Sequence, residues 1–161
     1  MGCFNDSGRS SFTFFDSDRK NLCRRRLSKS QGALDKAIGY AQERKAFGSR
    51  IADFQALQFK LADMAIELEA ARTFLWRAAA ALDAKTPDAS KLCAMAKRVA
   101  TDIGFEVANQ ALQIHGGYGY LADYGIEKIV RDLRVHQILE GTNEVMRMIV
   151  ARSLVGRAKG N

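Results

Sequence analysis

The sequence predicts an all-α fold: an antiparallel, up-and-down four-helix bundle with one short extra helix. Three observations predict it. Apolar residues recur at steps of three and four along two stretches of about thirty residues each. Ala, Leu, Lys, Arg, Glu and Gln, which favour helix, dominate from residue 31 onward. The 161-residue chain holds a single proline, Pro87, and hairpin-turn pairs are scarce. With 47% apolar residues it can fill one core. Neither a repeat nor a strand pair is predicted.

The elements follow in order. Residues 1–30 are rich in Ser, Asp, Arg, Asn and Gly, and Phe4, Phe12, Phe14 and Phe15 show no helical period. They read as a poorly ordered head, with a short helix near residue 20 running into the next element. Residues 31–46 read as an amphipathic helix on Leu34, Ala37, Ile38 and Ala41, stopped by Gly48. Asp53 is the expected N-cap of a long helix. Its stripe is Phe54, Leu57, Leu61, Met64, Leu68, Leu75, Ala78 and Leu82, ending near Ala84. Thr86-Pro87-Asp88 restarts the chain: a cap, a proline suited to the first helical position, and an acid at the positive end of the dipole. Leu92, Met95, Val99, Ile103, Val107 and Leu112 mark a second long helix, stopped by Gly116-Gly117. A Gly/Tyr loop follows, then a shorter helix over residues 126–138. Glu140-Gly141 breaks it, and a last helix starts near Thr142 with Val145, Met148, Ile149 and Leu154 apolar. The helical domain is thus expected over 31–156, with 157–161 as a tail.

Charge and cysteines narrow the classes. The net charge is +7, of which the head carries +4 through seven Lys/Arg and three Asp. A nucleic-acid reading would rest on Arg24, Arg25 and Arg26, a short run without a DNA-binding motif, so no nucleic-acid partner is expected. Cys3, Cys23 and Cys93 are odd in number and show no CxxC spacing, which points to neither a disulfide framework nor a zinc site. No metal is expected. A reducing compartment fits, either bacterial cytoplasm or an organelle matrix such as the mitochondrial one. No apolar run approaches the ~20 residues that span a bilayer.

Three segments can carry chemistry. Gln113-Ile114-His115-Gly116-Gly117-Tyr118-Gly119-Tyr120 packs three glycines into four residues. A helix stop needs fewer, and glycines let a backbone approach a ligand closely. Leu139-Glu140-Gly141-Thr142-Asn143-Glu144 contains ordinary capping by Thr142 and Glu144. Capping leaves Glu140 unexplained: an acid two residues before the cap, followed by Gly, aimed by a non-helical turn beside free helix N–H groups. Glu43-Arg44-Lys45-Ala46-Phe47-Gly48, with Gln55 beyond it, reads by itself as cations at a helix C-terminus, though Arg44 could pair with a phosphate.

Together these segments resemble the acyl-CoA dehydrogenase family over about residues 31–156. The resemblance rests on ERKAFG at 43–48, FQALQFKLADMAIELEAAR at 54–72, QALQIHGGYGY at 110–120, VRDLRVHQILEGTNEVMR at 130–147 and VAR at 150–152, in order and at matching separations. LCAMAK at 92–97 and RVHQILEG at 134–141 look like the isobutyryl-CoA dehydrogenase branch. Family members carry an N-terminal helical domain, a middle β-domain and a C-terminal four-helix bundle; this chain resembles the third. The resemblance implies non-covalent FAD, an acyl-CoA substrate, electron-transferring flavoprotein as the electron acceptor, and a homo-oligomer, dimer or tetramer. It implies Glu140 as the catalytic base. It also implies Arg44 and Gln55 on the FAD phosphate and adenosine region, Gln113, Ile114, His115, Gly116 and Gly117 along the pyrophosphate, and Thr142, Asn143 and Glu144 on FAD after the base. Gly141 would touch substrate, and Arg152 would hold the acyl-CoA or the base loop.

The head departs from that pattern. Asp16-Ser17-Asp18-Arg19 falls where the family has an Asp-x-x-Arg that contacts CoA, which makes Arg19 a substrate candidate. The neighbouring Lys20 to Arg26 do not form the apolar, small-residue helix the family implies, as a truncated or frameshifted reading frame would produce. The leading expectation is a domain that is enzymatic only in a complete protein. The alternative, in a different class, is an inactive bundle that acts only in oligomerisation.

Overall fold

The computed structural model describes residues 10–156, with side chains from Arg25 on. Five helices dominate: α1 Ser10–Glu43, α2 Gln55–Asp83, α3 Ala89–His115, α4 Ile126–Val135 and α5 Asn143–Val155. Short 3-10 turns lie at Ile51–Asp53 and Gly116–Tyr120. The predicted all-α bundle with a short extra helix is borne out.

Cross-helix contacts fix the directions. Ser30 Oγ donates to the Gly104 carbonyl (3.3 Å) and Tyr40 stacks on His115 (4.4 Å), so α1 and α3 run parallel. Lys60 Nζ meets Gln110 Oε1 (2.7 Å) and Cys93 Sγ the Ala78 carbonyl (3.9 Å), so α2 runs antiparallel to α3. Lys29 pairs with Asp132 and Lys36 reaches the Tyr124 carbonyl, which sets α4 antiparallel to α1. α3 touches every other helix and is the centre of the bundle. Its buried positions are therefore mostly small: Ala96, Ala100, Gly104, Ala108 and Ala111 among them. A Cβ on Gly104 would lie 2.7 Å from Ser30 Oγ, so glycine there sets how closely α1 approaches. The expected stripe members Met95, Val99 and Ile103 are only half-buried. An apolar count favours large residues and misses a helix packed on several sides by small ones.

The structure corrects several local expectations. α1 begins at Ser10, so residues 10–30, expected as a loose head, are helical. Arg26, Leu27, Ser30, Ala33, Leu34, Ala37 and Ala41 form its buried stripe, whose first turns contain an arginine and a serine and so escape an apolar pattern. The basic run is split accordingly: Arg26 is buried, Arg25 is exposed, and the Arg24 side chain lies outside those described. Residues 1–9 and 157–161, the outer head and the expected tail, also lie outside the described residues.

A minimal strand pair does exist, with β1 Lys45–Ala46 antiparallel to β2 Ser49–Arg50. Phe47 (φ 51°) and Gly48 (φ 83°) form its two-residue turn, and two left-handed residues suit the twist of such a hairpin. Gly48 is thus a turn residue rather than a helix stop. Asp53 does not cap α2; Phe54 holds that position, and Asp53 pairs with Arg50 (2.9 Å), which holds its carboxyl below the usual range. Pro87 sits before α3, whose first residue is Ala89. α4 ends at Val135, three residues short of the expectation. Among the described residues no helix is long and apolar enough to cross a membrane.

Candidate active site

The segment between α4 and α5 carries the leading candidate. After Val135 the backbone tightens through His136 N–H to the Leu133 carbonyl and Ile138 N–H to the Val135 carbonyl. Glu140 then adopts φ 58° and Gly141 φ 88°. A left-handed conformation at a non-glycine residue costs about 1 kcal/mol and persists only where neighbours enforce it. The Asn143 N–H closes the loop on the Gln137 carbonyl (3.0 Å). Thr142 caps α5 by accepting from the Val145 N–H (3.4 Å), as expected from the sequence. The φ of 88° favours glycine at 141, and a Cβ there would also push the flexible end of Met146, whose Cε would lie 2.9 Å away.

A buried polar network holds this turn. Lys97, fully buried, donates from Nζ to the Gly141 carbonyl and to Asn143 Oδ1, each at 2.8 Å. Asn143 Nδ2 donates to Asp102 Oδ1 (2.6 Å), which also accepts from Gln137 Nε2 (2.9 Å). The Thr101 hydroxyl lies within 3.2 Å of Asn143 Oδ1. On the other side Arg26 Nη2 donates to Glu140 Oε2 at 3.2 Å; the Arg26 side chain is 1% exposed and that of Glu140 33%. His136 stands near Arg26 and Lys29. Burial first, then those two cations, push its imidazole down to about 4.

A second cluster lies at the C-terminal end of α3. Gly116 ends the helix with φ 58°, and both Gly116 and Gly117 face open space. Gln113 is exposed, and the exposed Arg44 places its guanidinium 5.1 Å from the centre of the Tyr118 ring. Gln55, exposed at the start of α2, lies at the same end of the bundle, because α2 runs antiparallel to α3. Ile114 and His115 point inward: His115 Nδ1 lies 2.8 Å from the Ala111 carbonyl and its ring stacks on Tyr40. Burial, the largest cause, raises the Tyr40 hydroxyl above its ordinary value.

The predicted residues therefore gather in two places. Glu140, Gly141, Thr142, Asn143 and Glu144 share the turn; Arg44, Gln55 and Gln113 to Gly117 share the far end. Lys97, beside the turn, and His115 are eighteen helical residues apart, about 27 Å along α3. Arg152 lies exposed in the last turn of α5. Arg19 falls on α1, its side chain outside those described. Sequence reasoning missed Arg26, Lys97, Thr101, Asp102 and Gln137. One signal was available for Lys97: it stands among Cys93, Ala96 and Ala100, at the spacing of a buried helical face. Among the described residues no three His, Cys, Asp or Glu side chains form a metal-binding group.

Known proteins resemble this chain in sequence and fold. The family model for the acyl-CoA dehydrogenase C-terminal domain matches residues 8–155. The chain belongs to the acyl-CoA dehydrogenase family. It is 52% identical over 137 residues to mitochondrial isobutyryl-CoA dehydrogenase of Bos taurus, covering 85% of this chain and 33% of that protein. It is 47% identical over 140 residues to the CarC subunit of the caffeyl-CoA reductase-Etf complex of Acetobacterium woodii, covering 87% of this chain and 37% of that subunit. Butyryl-CoA dehydrogenase from Megasphaera elsdenii superposes with a TM-score of 0.87 at 36% identity, over 94% of this chain and 40% of that one. The chain thus spans roughly a third of the length of these dehydrogenase-family relatives, and this family is FAD-dependent.

Proposed function

We propose that the chain serves as the C-terminal domain of a complete flavoenzyme that introduces an α,β double bond into an acyl-CoA with a short or branched acyl group, such as isobutyryl-CoA. The observation that carries the reading is the Glu140 turn. A carboxylate on a left-handed residue, one-third exposed, stands at the start of α5 and is fixed from behind by Lys97 and Asn143. A thioester α-C–H is a weak acid, so its base must be held in place at a site shielded from water. Glu140 would take the α-proton on its carboxylate. The backbone N–H groups at the start of α5 supply partial positive charge next to the developing enolate.

The residues present fit FAD in part. At the far end Gly116 and Gly117 leave open backbone, and exposed Gln113, Gln55 and Arg44 offer donors suited to phosphate and ribose oxygens. His115 and Asn143 face inward, so their part would be to shape backbone rather than to touch the cofactor. FAD, when bound, supplies the acceptor for the β-hydride. The ~27 Å between the two clusters suits a ligand that draws residues from two copies of the chain, as a dimer or tetramer would provide. Electron-transferring flavoprotein is the proposed electron acceptor, and the mitochondrial matrix or bacterial cytoplasm the proposed setting.

A second reading, an inactive bundle acting in oligomerisation, is favoured by one observation. An apolar groove of about 290 Å³ between α2, α3 and α5, lined by Phe74, Met95, Val99, Met146, Val150 and Leu154 among others, lies near exposed apolar side chains on α5. Anaerobic flavin bleaching separates the two. The proposal expects no turnover from the isolated chain with FAD and isobutyryl-CoA or butyryl-CoA, and bleaching in a complete dehydrogenase that carries this sequence as its C-terminal domain with Arg26→Ala releasing the Glu140 carboxylate. Colourless oligomers in both arms would favour the inactive bundle.

A further inference from the structure

The contact between Arg26 and Glu140 goes beyond the positioning of a base. Arg26 is 1% exposed, and among the described residues only Nη2 of its three guanidinium nitrogens has a partner; Nε and Nη1 are buried without one there. Among the described residues its one ion pair is with Glu140. The other carboxylates nearby are already engaged: Asp132 by Lys29 and Lys128, and Asp102 by Arg98, Gln137 and Asn143. Among the described residues the ion pair with Arg26 is likewise the one that Glu140 makes. Lys97 is turned to the Gly141 carbonyl and Asn143, and His136 is held neutral near pH 7.

The consequence is asymmetric. A buried ion pair is weak evidence of stability, but removing one partner leaves the other charge buried and uncompensated, which is strongly unfavourable. Arg26 therefore depends on a charged Glu140. A base has to give up that charge each time it accepts a proton, and its carboxylate has to be free to reach a substrate carbon. Arg26 opposes both requirements: it occupies Oε2, and it would be left alone in the core whenever Glu140 became neutral.

We propose that Arg26 is a lock on Glu140, a buried guanidinium on α1 that holds the carboxylate of the α4–α5 turn in an ion pair and keeps it from acting as a base in this chain. The functional half of the inference rests on Glu140 being that base; the lock itself does not. Arg26 acts through Glu140, so it is a positioning residue, here one that positions the carboxylate unproductively.

The test uses the purified chain and does not depend on turnover. Glu140 is labelled with a carbodiimide and glycine ethyl ester and read by peptide mass spectrometry in wild type, Arg26→Met and Arg26→Lys. Arg26→Met keeps most of the volume and drops the charge; Arg26→Lys keeps the charge. The lock predicts several-fold faster labelling in Arg26→Met and near-wild-type labelling in Arg26→Lys. Equal labelling in wild type and Arg26→Met would overturn it. Thermal melts supply the second readout. Glu140→Gln should melt roughly 5–10 °C below wild type, and adding Arg26→Met should recover most of that loss. Additive losses in the double variant would overturn the lock, as would an unfolded Arg26→Met beside a folded Glu140→Gln, which would make Arg26 a structural support. Failure of the proposed function would appear elsewhere, as absent flavin bleaching in a complete enzyme from which Arg26 has been removed.

Discussion

Lys97→Met tests how the turn is held. The wild-type ammonium is fully buried and donates two charge-assisted hydrogen bonds of 2.8 Å, one to a backbone carbonyl in the turn and one to the side chain of the first α5 residue. Methionine matches the length of the side chain and removes both donors. The Thr101 hydroxyl, 3.2 Å from Asn143 Oδ1, can turn its one proton to that oxygen, so the Gly141 carbonyl suffers the main loss. Leaving one buried acceptor unpaired costs about 1–3 kcal/mol, and weakening the second adds to that. Ending the desolvation of the ammonium offsets part of the loss. The net expectation is about 2 kcal/mol, which for a chain of this size lowers the melting temperature by roughly 4–8 °C. Circular dichroism melts measure it. Hydrogen exchange adds the location: amides over 137–143 should exchange faster, while those of α1 beside α3 change little. An unchanged melting temperature with unchanged exchange in the turn would refute the clamp.

Three further outcomes are expected. His136 is held at about 4 in the fold, against an ordinary 6.5, so between those values the folded chain binds fewer protons than the unfolded one. Its contribution is whole above about pH 6.5 and declines as pH falls toward 4, by on the order of 1–3 kcal/mol after solvent screening; urea titrations of wild type and His136→Gln should diverge in that window and nowhere above it. Gly119→Ala should destabilise by about 1–3 kcal/mol, because its Cβ would lie 2.9 Å from Leu112 Cδ1 and 3.1 Å from the Leu112 carbonyl; a melt equal to wild type would contradict the close packing of the Gly/Tyr loop. Phe47→Asn should raise stability by about 0.5–1 kcal/mol, since Phe47 is 97% exposed and holds φ 51° in the hairpin turn; a lower melting temperature would show that the ring is packed in solution.

What was legible follows from which forces leave a pattern in one dimension. The Met64–Leu68–Leu75–Ala78 face of α2 is buried on one side only, so its period is plain and the structure repeats it. α3 is buried on several sides, so its packing rests on alanines and Gly104 that no apolar stripe reveals. The first turns of α1 escaped because Arg26 and Ser30 hold buried positions there through partners that are distant in sequence: Glu140 is 114 residues away and Gly104 is 74. The Glu140 turn was legible as a break because an acid, a glycine and a capping threonine in series have few other local uses. The network behind it was not, because Lys97, Thr101 and Asp102 meet Asn143 only through the packing of α3 against the start of α5. Spacing alone does not separate the glycines at 116–119: Gly116 and Gly117 face open space, while Gly119 is packed against Leu112 and His115.

The central claim is that Glu140 is the proton-abstracting base of an acyl-CoA dehydrogenase built with this domain. The most direct measurement is anaerobic flavin bleaching by isobutyryl-CoA or butyryl-CoA in a complete dehydrogenase carrying this sequence as its C-terminal domain, with Arg26→Ala included so that the carboxylate is free, compared with the same protein bearing Glu140→Gln. The account predicts bleaching in the first and none in the second, with FAD and acyl-CoA still bound by both; bleaching at an undiminished rate in the Glu140→Gln protein would contradict it.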